Sequence, residues 1–192
     1  METTEKQGHK ITQQMLKSHS GEFDVESIHT LALPGIGIED LGCIGECTGL
    51  ERLDFSDNAL TRLYALASLT NLVHLNLAGN NVSSLDGLQT LDNLQSLNLA
   101  GNQISSVDSL RCLTSLEKFT DLRLLDVVHQ QTNPVCTNNL YKSHVVALLP
   151  KLVILDGTCM HCVYAIYIYI YIYIYIYIYI YIYIYIYIYI YI

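Results

Sequence analysis

Residues 28 to 115 repeat with a period of 22 residues, four times and without an insertion. The blocks open at Ile28, Leu50, Leu72 and Leu94. Seven apolar positions recur in each, for example Leu50, Leu53, Phe55, Leu60, Leu63, Leu66 and Leu69. All four blocks keep an apolar residue at every one of them, the weakest being Cys47. At an apolar usage of roughly 45%, one frame would do this by chance about once in 10^9 or 10^10 trials. The period is therefore a structural constraint. A unit this short buries an apolar face only against its own copies.

Each block divides into two halves. The opening LxxLxL alternates with period two and predicts a short strand. The second half has an apolar residue every three positions, as at Leu60, Leu63, Leu66 and Leu69. That spacing fits a short helix or 3₁₀ turns with one buried side. Stacking sets the strands side by side in parallel. The expected fold is α/β, a right-handed solenoid with strands on the concave face and helices or 3₁₀ turns on the convex side. Asn58, Asn80 and Asn102 recur where the chain leaves the strand. A buried amide there can bond backbone groups of adjacent blocks, so a structural asparagine ladder is expected.

Residues between the strand leucines point away from the core. In register they form one column of Thr30, Arg52, His74 and Ser96, and a second of Ala32, Asp54, Asn76 and Asn98. A third, Pro34, Ser56, Ala78 and Ala100, is small. Arg52, Asp54, His74, Asn76, Ser96 and Asn98 are the candidate partner contacts, because solenoids commonly bind on this surface.

The flanking segments predict caps. Residues 1 to 27 read as an N-terminal cap. It holds a short helix bearing Ile11, Met15 and Leu16 with Thr12 as N-cap, then a strand leading to Ile28 in which Phe23 and Val25 alternate with Asp24 and Glu26. After Leu113 the register slips, and a fifth block opening at Leu116, Phe119 or Leu122 stays open. Residues 116 to 157 form that irregular block and a C-terminal cap. Tyr141, Val145 and Leu148 define a helical face ending before Pro150. Leu149, Leu152 and Ile154 then restate LxxLxL.

The run NPVCTNNLYKSHVVALLPKLVILDG resembles the C-terminal cap of intracellular leucine-rich repeat proteins. The U2 small nuclear ribonucleoprotein A-prime subunit and axonemal dynein leucine-rich repeat proteins share that cap. The stretches ITQQMLKSHSGEFDVESI, LGCIGECTGLERLD and NLQSLNLAGN are similar to one group within this family, over about residues 11 to 157. The resemblance implies the fold and an intracellular location. It carries over no established biochemical activity.

Chemistry is sparse. The chain carries no phosphate loop, and no catalytic residue or cofactor is assigned. His74 near Asp54, with Ser56 or Ser96, is the one constellation with catalytic residue types. Cys159 and Cys162 flank His161 as half of a zinc site, and no metal is assigned. The formal net charge of -8 argues against direct nucleic-acid contact. The polar first ten residues and scattered cysteines point to an intracellular, cytoplasmic protein. The expected partner is another protein, and the expected state a monomer. Analogy with relatives sharing the cap offers a ribonucleoprotein subunit or a ciliary scaffold as alternatives.

Residues 158 to 192 stand apart. From Tyr167 the chain is a pure Tyr-Ile alternation of 26 residues, which inflates the 51% hydrophobic content. A TA dinucleotide repeat encodes this alternation in any frame, so the tail reads as a record of DNA repetition and not as a native interface. Its composition predicts strand and aggregation. A membrane contact follows only if the tail is native.

Overall fold

In the computed structural model, which describes residues 9–191, the chain divides into two compact units, Met1–Gly157 and Thr158–Ile192. The first contains the repeat. Its strands are β2 (Thr30–Ala32), β4 (Arg52–Asp54), β5 (His74–Asn76), β6 (Ser96–Asn98), β7 (Asp121–Arg123) and β8 (Ile154–Leu155), lying side by side in that order. Every neighbouring pair is parallel. Pairing is in register with the period: Leu31, Leu53, Leu75 and Leu97 sit opposite one another. Three-residue strands suffice because each block supplies just one rung, and the ladder continues past the strand ends. Leu33, Phe55, Leu77 and Leu99 each donate a backbone N–H to the next block.

The apolar positions of the four blocks form the core, and of these only Val107 is not fully buried. Each buried leucine contributes about 2 kcal/mol through removal from water. Cys47 is wholly buried among them, and burial pushes its thiol pKa up to about 11. The second halves of the blocks return in 3₁₀ segments at Ile44–Glu46, Tyr64–Leu66 and Val107–Ser115, and in turns where the third block returns. Side chains stitch these returns together: Ser68 and Asn71 donate to Gly45 and Thr48, and Thr90 and Asn93 to Ala67 and Thr70.

The asparagines do what their position requires. Asn80 Oδ1 accepts from the N–H of Leu60 at 2.9 Å, while its Nδ2 donates to Phe55 O and Leu77 O at 2.8 and 3.0 Å. Asn58 and Asn102 make the same set one block away on either side. A fourth rung is Asn133, whose Nδ2 bridges Leu99 O and Leu124 O. Its Oδ1 accepts from Ile104 N–H.

Asn133 shows how the fifth block is built. Leu122 pairs with Leu97, so the block opens at Phe119, and the readings from Leu116 and Leu122 are excluded. The extra residues before it are taken up by the nine-residue 3₁₀ segment Val107–Ser115 and the turn that follows. The chain then bulges through residues 126 to 131 before Asn133 resumes the ladder. The last rung also corrects the expected frame. Leu155, not Leu152, lies opposite Leu122, so Ile154 faces outward and Leu149 closes the preceding turn.

At the N-terminus, α1 (Gln13–Ser20) forms as expected, with Thr12 Oγ1 accepting from Met15 N–H. The strand expected through Phe23 and Val25 does not form. Asp24 accepts from Glu26 N–H and starts a 3₁₀ turn at Val25–Ser27, which leaves Phe23 95% exposed. Instead β1 (His9–Lys10) pairs with β3 (Ile38–Asp40) in a separate two-stranded sheet. Ile11 follows it so closely that a Cβ on Gly42 would lie 1.9 Å from Ile11 O. Only glycine fits there.

At the other end, α2 (Tyr141–Leu148) buries Tyr141 and Val145, and Leu148 is half-buried. The Tyr141 hydroxyl donates to Asp156 at 2.6 Å. Burial, then this carboxylate, raise the phenol pKa above its ordinary value. A phenol raised in the folded state contributes stability that is complete below its unfolded pKa of about 10 and is lost above it. Wild type is therefore expected to lose stability as pH climbs past about 10. Tyr141→Phe removes this titration, and chemical denaturation at pH 8 and 11 should show a smaller difference for the variant. An equal difference would remove Tyr141 as the source.

The second unit holds β9 (Thr158–Cys159) and α3 (Met160–Tyr191). The strand expected for the Tyr-Ile alternation is thus a helix. A lone strand leaves its backbone groups without partners, whereas a helix pairs them within itself. Tyr and Ile alternate around every side of it. The stretch Ile166–Tyr189 is long and apolar enough to cross a membrane by length and composition.

Candidate protein-interaction face

The outward strand positions form one continuous strip. Strand pairing sets Thr30, Arg52, His74, Ser96 and Asp121 in a row, with Ala32, Asp54, Asn76, Asn98 and Arg123 beside them. They line a shallow trough of about 360 Å³. All six residues expected from the sequence lie in it. Asp121 and Arg123 extend it by one block, and an open register had hidden them. Leu122, between two charged residues, was the available signal.

The two rows differ in their bonding. In the second, Asp54 Oδ1 accepts from Ser56 N–H, and Asn76 and Asn98 accept in the same way from Ala78 and Ala100. These side chains brace the turn two residues on, so half of each is already engaged. Among the described residues, Nδ2 of Asn76 and of Asn98 donates to nothing. The first row is more open. Arg52 is exposed, and its side chain makes no hydrogen bond or ion pair among the described residues. Burial, then the Arg52 guanidinium, lower the His74 pKa, while Asp121 draws it the other way. His74 is therefore neutral at pH 7. Ser56 and Ser96, the hydroxyls nearest it in register, donate instead to Asp54 and Asp121 at 2.7 and 3.0 Å. Among the described residues neither hydroxyl donates to His74.

In the third, small column Ala100 is fully buried and Ala78 nearly so, while Pro34 is exposed. Gln131 lies against Gly79 and Gly101, where added Cβ atoms would approach its side chain to about 3 Å. Its Nε2 donates to Asp57 at 3.2 Å, joining the fifth block to the second. The fifth block thus reaches back along the turns that follow the second, third and fourth strands of the repeat.

A family model described as leucine-rich repeat matches residues 10–161. The chain belongs to the leucine-rich repeat family. Proteins named leucine-rich repeat-containing protein 61 are similar to it. The Mus musculus protein is 57% identical over 147 residues, covering 77% of this chain and 57% of that protein. The Homo sapiens protein is 53% identical over 150 residues, covering 78% and 58%. The chain thus spans under two thirds of the length of these relatives. Among solved leucine-rich repeat structures, one chain of the Drosophila melanogaster SNF/U2A' complex superposes with a TM-score of 0.64 at 27% identity, covering 79% of this chain and 86% of that one. Internalin C2 of Listeria monocytogenes shares the fold, with a TM-score of 0.56 at 23% identity, covering 73% and 60%. Leucine-rich repeat domains are generally protein-interaction modules and are typically not enzymes.

Proposed function

We propose that the repeat unit binds a protein partner across the strand strip, as an adaptor without catalytic activity. Arg52, Asp54, His74, Asn76, Ser96 and Asn98 are the contacts proposed from the sequence, and Asp121 and Arg123 join them. The observation that carries this reading is a strip of polar side chains over an apolar sheet, half-buried at Asp54, His74, Asn76, Ser96 and Asn98, with hydrogen-bonding groups still open at Arg52, Asn76 and Asn98. Burying such groups is favourable only if a partner satisfies them, so the strip is suited to selective recognition. The Drosophila melanogaster neighbour, itself solved in a complex, supports the reading by fold. We place the protein in the cytoplasm.

The test uses the full chain as bait and partners identified by proximity labelling. Arg52→Ala with His74→Ala should reduce their recovery at least about tenfold, the scale of one or two lost interface contacts. Neither side chain braces a turn, so the melting temperature should not move. Unchanged recovery would exclude the strip as the binding surface.

A further inference from the structure

The repeat itself does not require residues 126 to 131, yet they are tightly built. Asp126 and Gln131 exchange backbone hydrogen bonds of 2.8 and 2.9 Å. The Asp126 side chain, 12% exposed, accepts from Val128 N–H, His129 N–H and the His129 ring, and lies 3.5 Å from Arg123. Gln131 pins the far end to Asp57. All of this holds out a tip in which Val127 is 77% exposed and Val128 85%. Two adjacent exposed valines on a braced loop serve no core. At the base of the loop Asp126 lies 3.5 Å from Arg123, which lines the trough.

Charge on the strip has a direction as well. Both carboxylates in it, Asp54 and Asp121, already accept hydrogen bonds from neighbouring serines. Arg52 has no such partner among the described residues, and its register neighbours Thr30 and His74 are uncharged. Of the four charged side chains in the trough, Arg52 is the one without a side-chain hydrogen bond or ion pair among the described residues. An unpaired guanidinium favours a carboxylate, with two oxygens to accept its fork of donors.

We propose that the 126–131 loop is the lip of the partner site, and that the partner enters as a protein segment presenting a carboxylate to Arg52 and aliphatic side chains to Val127 and Val128. This rests on the interaction reading above and names the chemistry that site selects. From β4 to β7 the stack advances three strand spacings, about 14 Å, so the segment spans at least about five extended residues.

The probe is a random library of 16-residue peptides displayed on phage and selected on the full chain. Enriched peptides should pair Asp or Glu with aliphatic residues. Arg52→Glu and Val127→Asp/Val128→Asp should each weaken them at least about tenfold, with the melting temperature unchanged because all three positions are exposed. Val127→Ser/Val128→Ser should weaken them too, without adding charge. Loss with Arg52→Glu but not with either loop variant would overturn the lip and leave the strand-strip reading standing. Indifference to all three variants would overturn both. Enrichment of basic peptides, absence of enrichment, or displacement by an RNA of equal length would overturn the proposed chemistry.

Discussion

Asn80→Ala is expected to destabilise the repeat unit by about 4 kcal/mol, far more than its size suggests. The side chain deleted is small and polar, and it fills no large volume. What it leaves behind sets the cost. Leu60 N–H loses its acceptor in the buried interior between blocks, while Phe55 O and Leu77 O each lose one of two amide donors and keep those of Asn58 and Asn102. The one orphaned donor costs about 1–3 kcal/mol, and the two lost hydrogen bonds about 1 kcal/mol each. Water cannot replace the amide without room, and the flanking Leu60 and Leu77 are fully buried. Asn80→Asp is a sharper variant. A carboxylate still accepts from Leu60 but cannot donate to the two carbonyls. Protonating it restores one donor, so its pKa rises on folding and the stability so gained is present below about pH 4 and lost above it. Thermal unfolding should therefore place this variant nearer wild type at pH 4 than at pH 7. Equal deficits at both would mean that the lost donation is not the cause.

How legible each part was follows from the same physics. Residues 28 to 115 are readable because every block closes in 22 residues, so spatial register and sequence register coincide. Asn58, Asn80 and Asn102 are found by counting for that reason. Asn133 does the same work, but the bulge at 126 to 131 lies before it, and counting from Phe119 lands on Val127. The ladder demands an amide at a place in space, and intervening residues are free to loop out. Asp121 and Arg123 were lost to the same slip. Braced side chains such as Asp54, Asn76 and Asn98 were legible as outward-facing, but not as half-committed, since a bond two residues along leaves no mark in the period. For the Tyr-Ile segment, residue preferences pointed to strand. A strand, however, is stabilised by its neighbours, and preferences counted one residue at a time carry no neighbour.

Asp156→Ala is expected to cost about 4 kcal/mol and to open the C-terminal end of the stack first. One carboxylate, 3% exposed, closes that end. Its Oδ1 accepts from Leu124 and Leu125 N–H at 2.8 and 2.9 Å, and its Oδ2 from Tyr141 at 2.6 Å. Lys142 Nζ lies 3.8 Å away and offsets part of the cost of burying the charge. The backbone adds a second term. Asp156 has a φ of 51°, a left-handed conformation that Asp and Asn tolerate and alanine does not. Asp156→Asn separates the two. The amide keeps the conformation and an oxygen for Leu124 and Leu125, and loses the charge and the best acceptor for Tyr141. Its cost should be about 1–2 kcal/mol. Chemical denaturation gives the totals, and hydrogen exchange shows where they act. Leu124 and Leu125 amides should exchange faster in the alanine variant, while those of Leu75 and Leu77, two blocks inward, keep their protection. A repeat array couples mainly between neighbours, so fraying from one end is its natural response to a lost cap. Uniform acceleration across all blocks would show instead that the cap and the repeats unfold as one unit.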